Sequence, residues 1–416
     1  MLRTFKRYVG KVRDPILHRI RKASEARRIR SSINETIRSG SIITEGRADK
    51  PRLYIDITDV FLNDRGTGIQ RVARQVSGWL QSMCTEYEVI EAYTSETGYR
   101  ECRNRSSVSF HRGDMLFLLG YSFVMMQHYD QYIPYLLKNG VRVSAFLYDL
   151  IPVRYPRLCM DGILKGYRAF LKTAVKLPLV ICDSKSVAEE LEGYLKSRPW
   201  IKRNPGLKIG HSLLGCDFIH KEAAFSVKKE PAERSHCPSF LMVSTVEPRK
   251  MYAQAVRAFD LLWKNDTDAG LWIVGRPGWK SRDTISLIEN HAELGKRLLW
   301  YRSGIPDGEL DALYEKCDAV IFASVAEGFG LALAEGAAHK KPLILRDISV
   351  FREIAGEHAF YFSGEDAGDL ASGIEEWLRL HEGGAEPKPE GMRLPTWKEC
   401  SRRILELLTE NNIKEV

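Results

Sequence analysis

The chain has 416 residues, of which 44% are hydrophobic and 28% are charged. This length exceeds one ordinary hydrophobic core and predicts two domains of roughly 150–200 residues each. The composition is typical of a globular protein and excludes a largely disordered chain, while no apolar run approaches the roughly 20 residues that span a bilayer.

The eight cysteines are scattered and form no Cys-x-x-Cys motif or short Cys/His cluster. This spacing disfavours a zinc site and predicts buried free thiols in a reducing cytoplasm. We therefore expect no metal ligands among them: Cys84, Cys102, Cys159, Cys182, Cys216, Cys237, Cys317 and Cys400.

The positive charge is concentrated at the N-terminus. Residues 1–31 contain eleven Lys and Arg residues and two acidic residues, so the rest of the chain is nearly neutral. Apolar residues recur there at helical spacing, which predicts a basic amphipathic helix that lies on an anionic membrane surface. They are Leu2, Phe5, Val9, Val12, Ile16 and Ile20. A solvated leader is the alternative, and nucleic-acid binding is disfavoured because no matching motif accompanies the charge.

Alternating strands and helices follow this extension and predict an α/β protein of two doubly wound, Rossmann-like domains that face each other across a cleft. Strands are expected at 53–57, 87–92, 115–119, 141–147, 179–182 and 208–213, and again at 240–244, 271–274, 298–301, 319–323, 342–345 and 359–362. The predicted division is a basic extension over 1–50, a first domain over 51–217, a polar linker over 218–238, a second domain over 239–390 and a C-terminal helix over 391–416. Ligands are expected at the carboxyl ends of the strands, in the cleft.

Two carboxylates, Glu327 and Glu335, flank a strand-to-helix turn in the second domain. Gly328 and Gly330 follow the first carboxylate and permit close backbone approach, and the start of the next helix offers free N–H groups to a diphosphate. One carboxylate could hold ribose hydroxyls and the other the hydroxyls of a sugar. Alternatively, Glu335 is a surface helix residue and the glycines form an ordinary loop, since Gly-x-Gly is only part of the dinucleotide fingerprint.

Two adjacent cations, Arg249 and Lys250, follow the first strand of the second domain and are expected to face the same cleft. Arg offers a planar fork for phosphate oxygens and Lys a mobile charge, so the pair could stabilise a departing nucleoside diphosphate. A solvated charged pair is the alternative.

Together these segments resemble glycosyltransferase family 4, particularly its bacterial surface-polysaccharide members. The resemblance extends from Phe240 to Phe362 through Val-Ser-Thr-Val-Glu-Pro-Arg-Lys, Ile-Val-Gly-Arg, Ile-Pro-Asp-Gly-Glu-Leu, Glu-Gly-Phe-Gly-Leu and Arg-Glu-Ile-Ala-Gly. It implies the two-domain GT-B fold, no obligatory metal or cofactor, and transfer with retention of anomeric configuration.

The resemblance also implies the roles of individual residues. Glu327 would contact the donor sugar as a positioning group, Glu335 the ribose, and Arg249 and Lys250 the diphosphate. Further donor contacts are implied for Gly328, Phe329, Gly330, Leu331, Gly68, Gly275, Arg276 and Ile305.

The first domain resembles the family more loosely. Asp149 is implied to orient the acceptor or the donor sugar, with a structural loop role as the alternative. Tyr148 stands where relatives often have histidine, so it either supplies a hydroxyl or only packs. The segment from Asp183 to Ser186 and Gly215 are interpreted as structural.

The predicted function is therefore a cytoplasmic hexosyltransferase of surface polysaccharide biosynthesis, peripheral on the inner face of the membrane. Its partners would be a nucleotide-sugar donor, with a GDP-sugar carrying mannose or a related hexose favoured, and a lipid-linked or other glycan acceptor. A UDP-sugar transferase and a non-catalytic GT-B-like binding module are the alternatives. An oxidoreductase is disfavoured, because neither domain has Gly-x-Gly-x-x-Gly followed by an acid about 20 residues later.

Overall fold

The computed structural model describes residues 15–46, 49–122, 129–217 and 237–410. These residues contain two β-sheets, each flanked by helices, and the two sheets follow one another along the chain. Most of the predicted linker lies outside the described residues, because 218–236 are not among them.

The first domain contains a sheet in the order β3-β2-β1-β4-β5-β6-β7. Its strands are β1 (Arg52–Asp56), β2 (Glu88–Ser95), β3 (Gly98–Glu101), β4 (Met115–Leu118), β5 (Arg142–Leu147), β6 (Leu179–Cys182) and β7 (Lys208–His211). Neighbouring strands are parallel except β2 and β3, which form an antiparallel hairpin at one edge that the sequence patterns did not predict.

Helices connect these strands. They are α1 (Pro15–Ser39), α2 (Thr58–Asn63), α3 (Gly68–Met83), α4 (Tyr132–Lys138), α5 (Ile151–Arg154), α6 (Asp161–Ala174) and α7 (Lys185–Lys196). Helix α3 begins at a capping box, in which the Thr67 hydroxyl accepts from the Gln70 N–H and the Gln70 side chain accepts from the Thr67 N–H. Such reciprocal bonds satisfy backbone donors that a helix start leaves unpaired, and they fix where the Gly66–Gly68 loop ends.

The second domain contains six parallel strands in the order β10-β9-β8-β11-β12-β13. They are β8 (Ser239–Val243), β9 (Gly270–Val274), β10 (Leu298–Tyr301), β11 (Ala319–Phe322), β12 (Leu343–Arg346) and β13 (Phe360–Phe362). The helices are α8 (Tyr252–Lys264), α9 (Arg282–Glu289), α10 (Asp307–Lys316), α11 (Leu331–Ala338), α12 (Ser349–Ala355), α13 (Ala367–Glu382) and α14 (Trp397–Thr409).

The central strands are buried on both faces, as in β6 with Leu-Val-Ile-Cys and β11 with Ala-Val-Ile-Phe. Short, continuously apolar strands of this kind are typical of a parallel sheet covered by helices on both sides. The predicted α/β architecture of two doubly wound domains is confirmed.

Helix α14 packs back against the first domain. A Cβ at Gly215 would lie 2.4 Å from the Trp397 Cα, so only glycine admits the helix this closely. The Ser212 hydroxyl donates to the Cys400 carbonyl at 3.3 Å, and Asp217 accepts from the Trp397 N–H. The last helix therefore follows the second domain in the chain but packs against residues 212–217 of the first domain, which ties the two domains together.

Helix α1 contains the end of the basic N-terminal segment. Ile29 and Ile33 are buried, and Arg28 forms an ion pair with Glu96 at 2.6 Å, so this end of α1 is held against the first domain. The predicted amphipathic residues from Leu2 to Val12 lie outside the described residues, and nothing is described of the side chains of Ile16 and Ile20. Among the helices described, none has both the length and the apolarity to cross a membrane.

Candidate active site

Glu327 is the centre of a buried cluster of charges in the second domain. The Arg249 guanidinium donates to its Oε2 at 2.8 Å, and the Lys250 ammonium donates to Oε1. The three side chains are 8%, 20% and 14% exposed, respectively. Arg249 also contacts Glu247 at 3.2 Å and the Ala326 carbonyl at 3.1 Å, so the guanidinium is held from several sides.

The cluster determines the protonation state of Glu327. Burial by itself would raise the pKa of this carboxyl, but Arg249 and Lys250 outweigh burial and lower its pKa to about 2. Burial, together with repulsion from Arg249, also lowers the pKa of Lys250, against the attraction of Glu327. Glu327 is therefore an ionised carboxylate at neutral pH, with both of its oxygens bound to cations.

The backbone around these residues places their side chains next to one another. Arg249 and Lys250 lie in a short 3-10 helix, Pro248–Lys250, which ends at Met251 in the left-handed region with φ +58°. Glu327 lies in the loop after β11, and the loop ends at Gly330 with φ +97°, where α11 begins. Because β8 and β11 are neighbouring parallel strands, the loops at their carboxyl ends meet at the same edge of the sheet.

Asp149 is a residue of the first domain that interacts with this charge cluster. It follows β5, and its Oδ1 accepts from the Ile151 N–H at 2.9 Å. Burial raises the pKa of Asp149, with Arg249 of the second domain opposing the rise and Glu327 adding to it. Asp149 thus interacts electrostatically with the charges of the opposite domain, while the hydroxyl of neighbouring Tyr148 donates to the Leu119 carbonyl at 3.0 Å and is buried.

Gly328 lies where the domains meet. A Cβ at this position would be 1.8 Å from the Tyr148 carbonyl oxygen and 2.7 Å from Asp183 Oδ2. The Ser184 hydroxyl donates to the Gly328 carbonyl at 2.9 Å. The absence of a side chain at Gly328 therefore admits the backbone of the first domain, where the sequence suggested the approach of a ligand.

Glu335 lies on the first turns of α11 and forms its ion pair across the cleft, with Arg71 of α3. Burial raises the pKa of Glu335, and Arg71 opposes the rise. One turn before Arg71, Gly68 faces Leu331: a Cβ there would lie 3.2 Å from the Leu331 Cδ1. The structure thus brings Gly68, Leu331 and Glu335 together at the starts of two facing helices.

Other residues predicted to contact the donor make contacts within the protein. The Phe329 side chain is 3% exposed and packs in the core, so its ring is not available to a ligand. A Cβ at Gly275 would lie 1.8 Å from the Ser244 carbonyl oxygen, so glycine is needed for the neighbouring loop. Arg276 is exposed and donates to the Ser303 carbonyl at 2.9 Å, and Ile305 is half-buried against the core.

Sequence reasoning assigned no role in the site to Glu247, Arg71 or Glu353, and it interpreted Asp183 as structural. Glu247 binds Arg249, Arg71 binds Glu335, and Glu353 of α12 binds the first turn of α7 in the opposite domain. Asp183 is 2% exposed and its Oδ1 has no hydrogen-bond partner among the described residues. Burial, and then the charges of Asp149 and Glu353, raise its pKa well above the usual range. These residues lie within recognised motifs, but nothing in their spacing indicates which partner they meet.

A cavity of about 360 Å³ lies beside the Arg249–Lys250 segment, between the starts of α8 and α13. Its lining includes Met251, Arg257 and Asp366, and none of the predicted site residues lines it. The charge cluster around Glu327, and not this cavity, is therefore the candidate active site.

Comparisons with known proteins concern the kind of protein to which this chain is similar. Residues 226–390 match the family model "Glycosyl transferases group 1". This stretch contains Arg249, Lys250, Glu327 and Glu335, and it confirms the resemblance of the second domain to glycosyltransferases.

The chain is similar to the serotype-specific mannosyltransferase WbdA of Escherichia coli, with 35% identity over 377 residues that cover 86% of this chain and 45% of that protein. It is also similar to the O-antigen chain mannosyltransferase B of Escherichia coli, with 26% identity over 60% of this chain and 63% of that protein. The chain thus spans less than half of the first of these relatives and under two thirds of the second.

Among solved structures, the sucrose-phosphate synthase of Thermosynechococcus elongatus superposes with a TM-score of 0.62 and 15% identity, over 88% of this chain and all of that one. At this identity the likeness concerns the fold alone. It agrees with the two-domain GT-B architecture.

Proposed function

We propose that this chain, whose residues 226–390 match the group 1 glycosyl transferases, transfers a hexose from a nucleotide-sugar donor to a glycan acceptor with retention of anomeric configuration. The observation that carries the proposal is the buried Glu327 carboxylate, which two cations hold at the carboxyl ends of the second sheet. Ligands of open α/β sheets bind at that edge.

Arg249 and Lys250 would receive the diphosphate of the donor. Both cations are largely buried, so their interaction with a charged ligand is screened by water less than it would be on the surface. Negative charge grows on the diphosphate as the glycosidic bond breaks, and fixed cations at that point lower the barrier. We infer that the transfer therefore needs no obligatory metal.

Glu327 would orient the sugar instead of attacking it. Its lone pairs are engaged by Arg249 and Lys250, which reduces its nucleophilicity, and its pKa of about 2 keeps it from acting as an acid. A nucleoside diphosphate leaves without protonation by a general acid, so the paired carboxyls of a glycosidase are not required. The leaving phosphate would take the acceptor proton, and Asp149 would help to place the acceptor. Glu335 would accept hydrogen bonds from the ribose hydroxyls.

The donor is proposed to carry mannose or a related hexose on GDP. Similarity to two mannosyltransferases supports the sugar. The acceptor is proposed to be a lipid-linked glycan of a surface polysaccharide, reached from the inner face of the cytoplasmic membrane. The cationic residues 1–31 support this location, because anionic headgroups attract such segments.

The test is a thermal-shift and calorimetric screen against GDP, UDP, ADP, dTDP and their sugars, followed by NMR of the anomeric configuration of the product. A ligand that binds the folded state raises its stability, so the donor stands out from the other nucleotides. A UDP-sugar response would replace the GDP assignment, and binding without turnover would favour a non-catalytic module. Activity that disappears with EDTA and returns with a divalent cation would refute metal independence.

Lys250→Met tests diphosphate binding, and urea unfolding is measured alongside because the substitution removes one member of a buried ion pair. Charge-assisted bonds contribute about 1.5–3 kcal/mol each, so the affinity for the nucleoside diphosphate is expected to fall roughly 10- to 100-fold. Lys264→Met, at the exposed end of α8, is the matched control and should bind normally. Unchanged affinity in Lys250→Met would show that the donor phosphates bind elsewhere.

A further inference from the structure

Helix α7 of the first domain is capped by a carboxylate of the second domain. Glu353 Oε1 accepts from the Lys185 N–H at 2.7 Å, and Oε2 accepts from the Ser186 N–H at 2.7 Å and from the Ser186 hydroxyl at 2.6 Å. Three short hydrogen bonds to one ionised group are stronger than bonds between neutral groups. The carboxylate also lies at the positive end of the α7 dipole.

The neighbours of Glu353 leave it free to make this contact. Arg352, the preceding residue, donates from Nε and Nη2 to the two carboxylate oxygens of Asp347, at 2.8 and 2.9 Å. The Lys185 ammonium is directed to Glu189, at 3.3 Å on its own helix. The cap is therefore made to backbone N–H groups and a hydroxyl of α7, and not to a charged side chain.

The same segment of the first domain contacts the candidate active site. Ser184, the N-cap residue just before α7, accepts from the Val187 N–H through its hydroxyl, and the same hydroxyl donates to the Gly328 carbonyl at 2.9 Å. Gly328 follows Glu327 directly. Both contacts join the two domains, because Ser184 and α7 belong to the first domain and Gly328 and Glu353 to the second.

We propose that Glu353 is a positioning residue that holds the two domains in the closed arrangement, in which the Glu327 loop meets Asp149. Glu353 contacts no substrate. It acts through α7 and Ser184, which fix Gly328 and hence the direction of the Glu327 carboxylate. This inference rests on the proposed function for its effect on turnover, but the closure itself does not.

The experiment compares Glu353→Ala with Glu357→Ala, which removes an exposed carboxylate from the turn that follows α12. Donor and acceptor fluorophores are introduced by unnatural amino acids at two exposed positions of the full chain, Lys172 in the first domain and Glu376 in the second. The interdomain distance distribution is expected to lengthen and broaden in Glu353→Ala and to stay unchanged in Glu357→Ala. This measurement needs no substrate, so it tests closure even if the chain proves not to transfer sugar.

Turnover gives the second readout. For Glu353→Ala, kcat is expected to fall at least tenfold, while the Kd of the nucleoside diphosphate changes less than threefold, since the proposed phosphate ligands belong to the second domain. Glu353→Gln keeps an acceptor oxygen and should recover part of the lost kcat. Ser186→Ala removes one of the three bonds and keeps a folded variant available if Glu353→Ala is unstable. An unchanged distance distribution together with wild-type kcat would overturn the proposal. A fall in nucleoside diphosphate affinity as large as the fall in kcat would also overturn it.

Discussion

Arg71 of the first domain forms an ion pair with Glu335 of the second, the carboxylate proposed to hold the donor ribose. The Glu335 side chain is 17% exposed, and the Arg71 guanidinium donates to its Oε1 from the opposite domain. A ribose that bound through the same Glu335 oxygen, Oε1, would compete with this arginine. We therefore expect Arg71 to oppose binding of the proposed donor.

Replacement of Arg71 tests that competition. Since the Arg71 side chain is 39% exposed, the pair is partly screened and contributes about 0.5–1 kcal/mol, so Arg71→Ala should tighten nucleoside diphosphate binding roughly two- to fivefold in calorimetry at low salt. Arg74→Ala, which breaks an exposed pair with Asp64 one turn later in α3, is the control. Weaker binding in Arg71→Ala would mean that the arginine itself contacts the nucleotide.

Glu327→Gln should lower kcat at least 100-fold and destabilise the fold by up to about 3 kcal/mol, less than Glu327→Ala does. Gln keeps the shape of the side chain and one acceptor oxygen, whereas Glu327→Ala leaves Arg249 and Lys250 buried without their partner. Removal of one member of a buried ion pair costs about 3–5 kcal/mol, so the alanine variant confounds activity with folding. Turnover is measured alongside urea unfolding, and Glu327→Gln with near-normal kcat would contradict the role of the carboxylate.

The same residue predicts a dependence of stability on pH. The pKa of Glu327 is lowered from 4.5 to about 2 in the folded state, so its stabilisation is present above pH 4.5 and is lost as pH falls through 2. The difference in free energy of unfolding between wild type and Glu327→Gln should therefore be constant near neutral pH and shrink by about 3 kcal/mol at most on acidification. A difference that does not vary with pH would show that the carboxylate is not held in its ionised form.

Asp56, in the first domain, is expected to change stability with pH in the opposite direction to Glu327. It is fully buried, and burial raises its pKa to about 6 against hydrogen bonds from Thr58 and Tyr99. Its contribution to stability is complete below pH 3.8 and is lost as pH rises through 6. Asp56→Asn should flatten this part of the profile of unfolding free energy between pH 4 and 8, and a profile identical to wild type would contradict it.

Removal of residues 1–14 tests the proposed membrane contact and keeps every described residue of the chain. These residues contain five Lys and Arg, each of which contributes about 1 kcal/mol near an anionic surface, so co-sedimentation with anionic vesicles should weaken at least 100-fold. Vesicles of neutral lipid are the control. Removal of residues 1–31 is less informative, because it deletes Ile29 from the first domain core. Equal binding of the truncated and full chains would exclude this segment as the anchor.

Much of the architecture followed from the sequence by local reasoning. Short apolar runs separated by amphipathic stretches predicted the parallel strands and helices, because each pattern reflects burial within a few residues. The turn at Glu327 and the cations at 249 and 250 were also placed at strand ends, and their meeting followed from the geometry of neighbouring parallel strands. The antiparallel β3 was missed because its four residues carry no distinctive alternation.

Only the tertiary structure decided how the two domains complete the site. The pairing of Arg71 with Glu335 joins residues 264 positions apart, and the cap of α7 by Glu353 joins residues 167 and 168 positions apart. Gly275 and Gly328 are likewise required because packing brings backbone atoms of other segments too close for a side chain at either position. Such contacts depend on the relative placement of whole domains, and a local pattern of residue types records what a side chain can do but not which partner it meets.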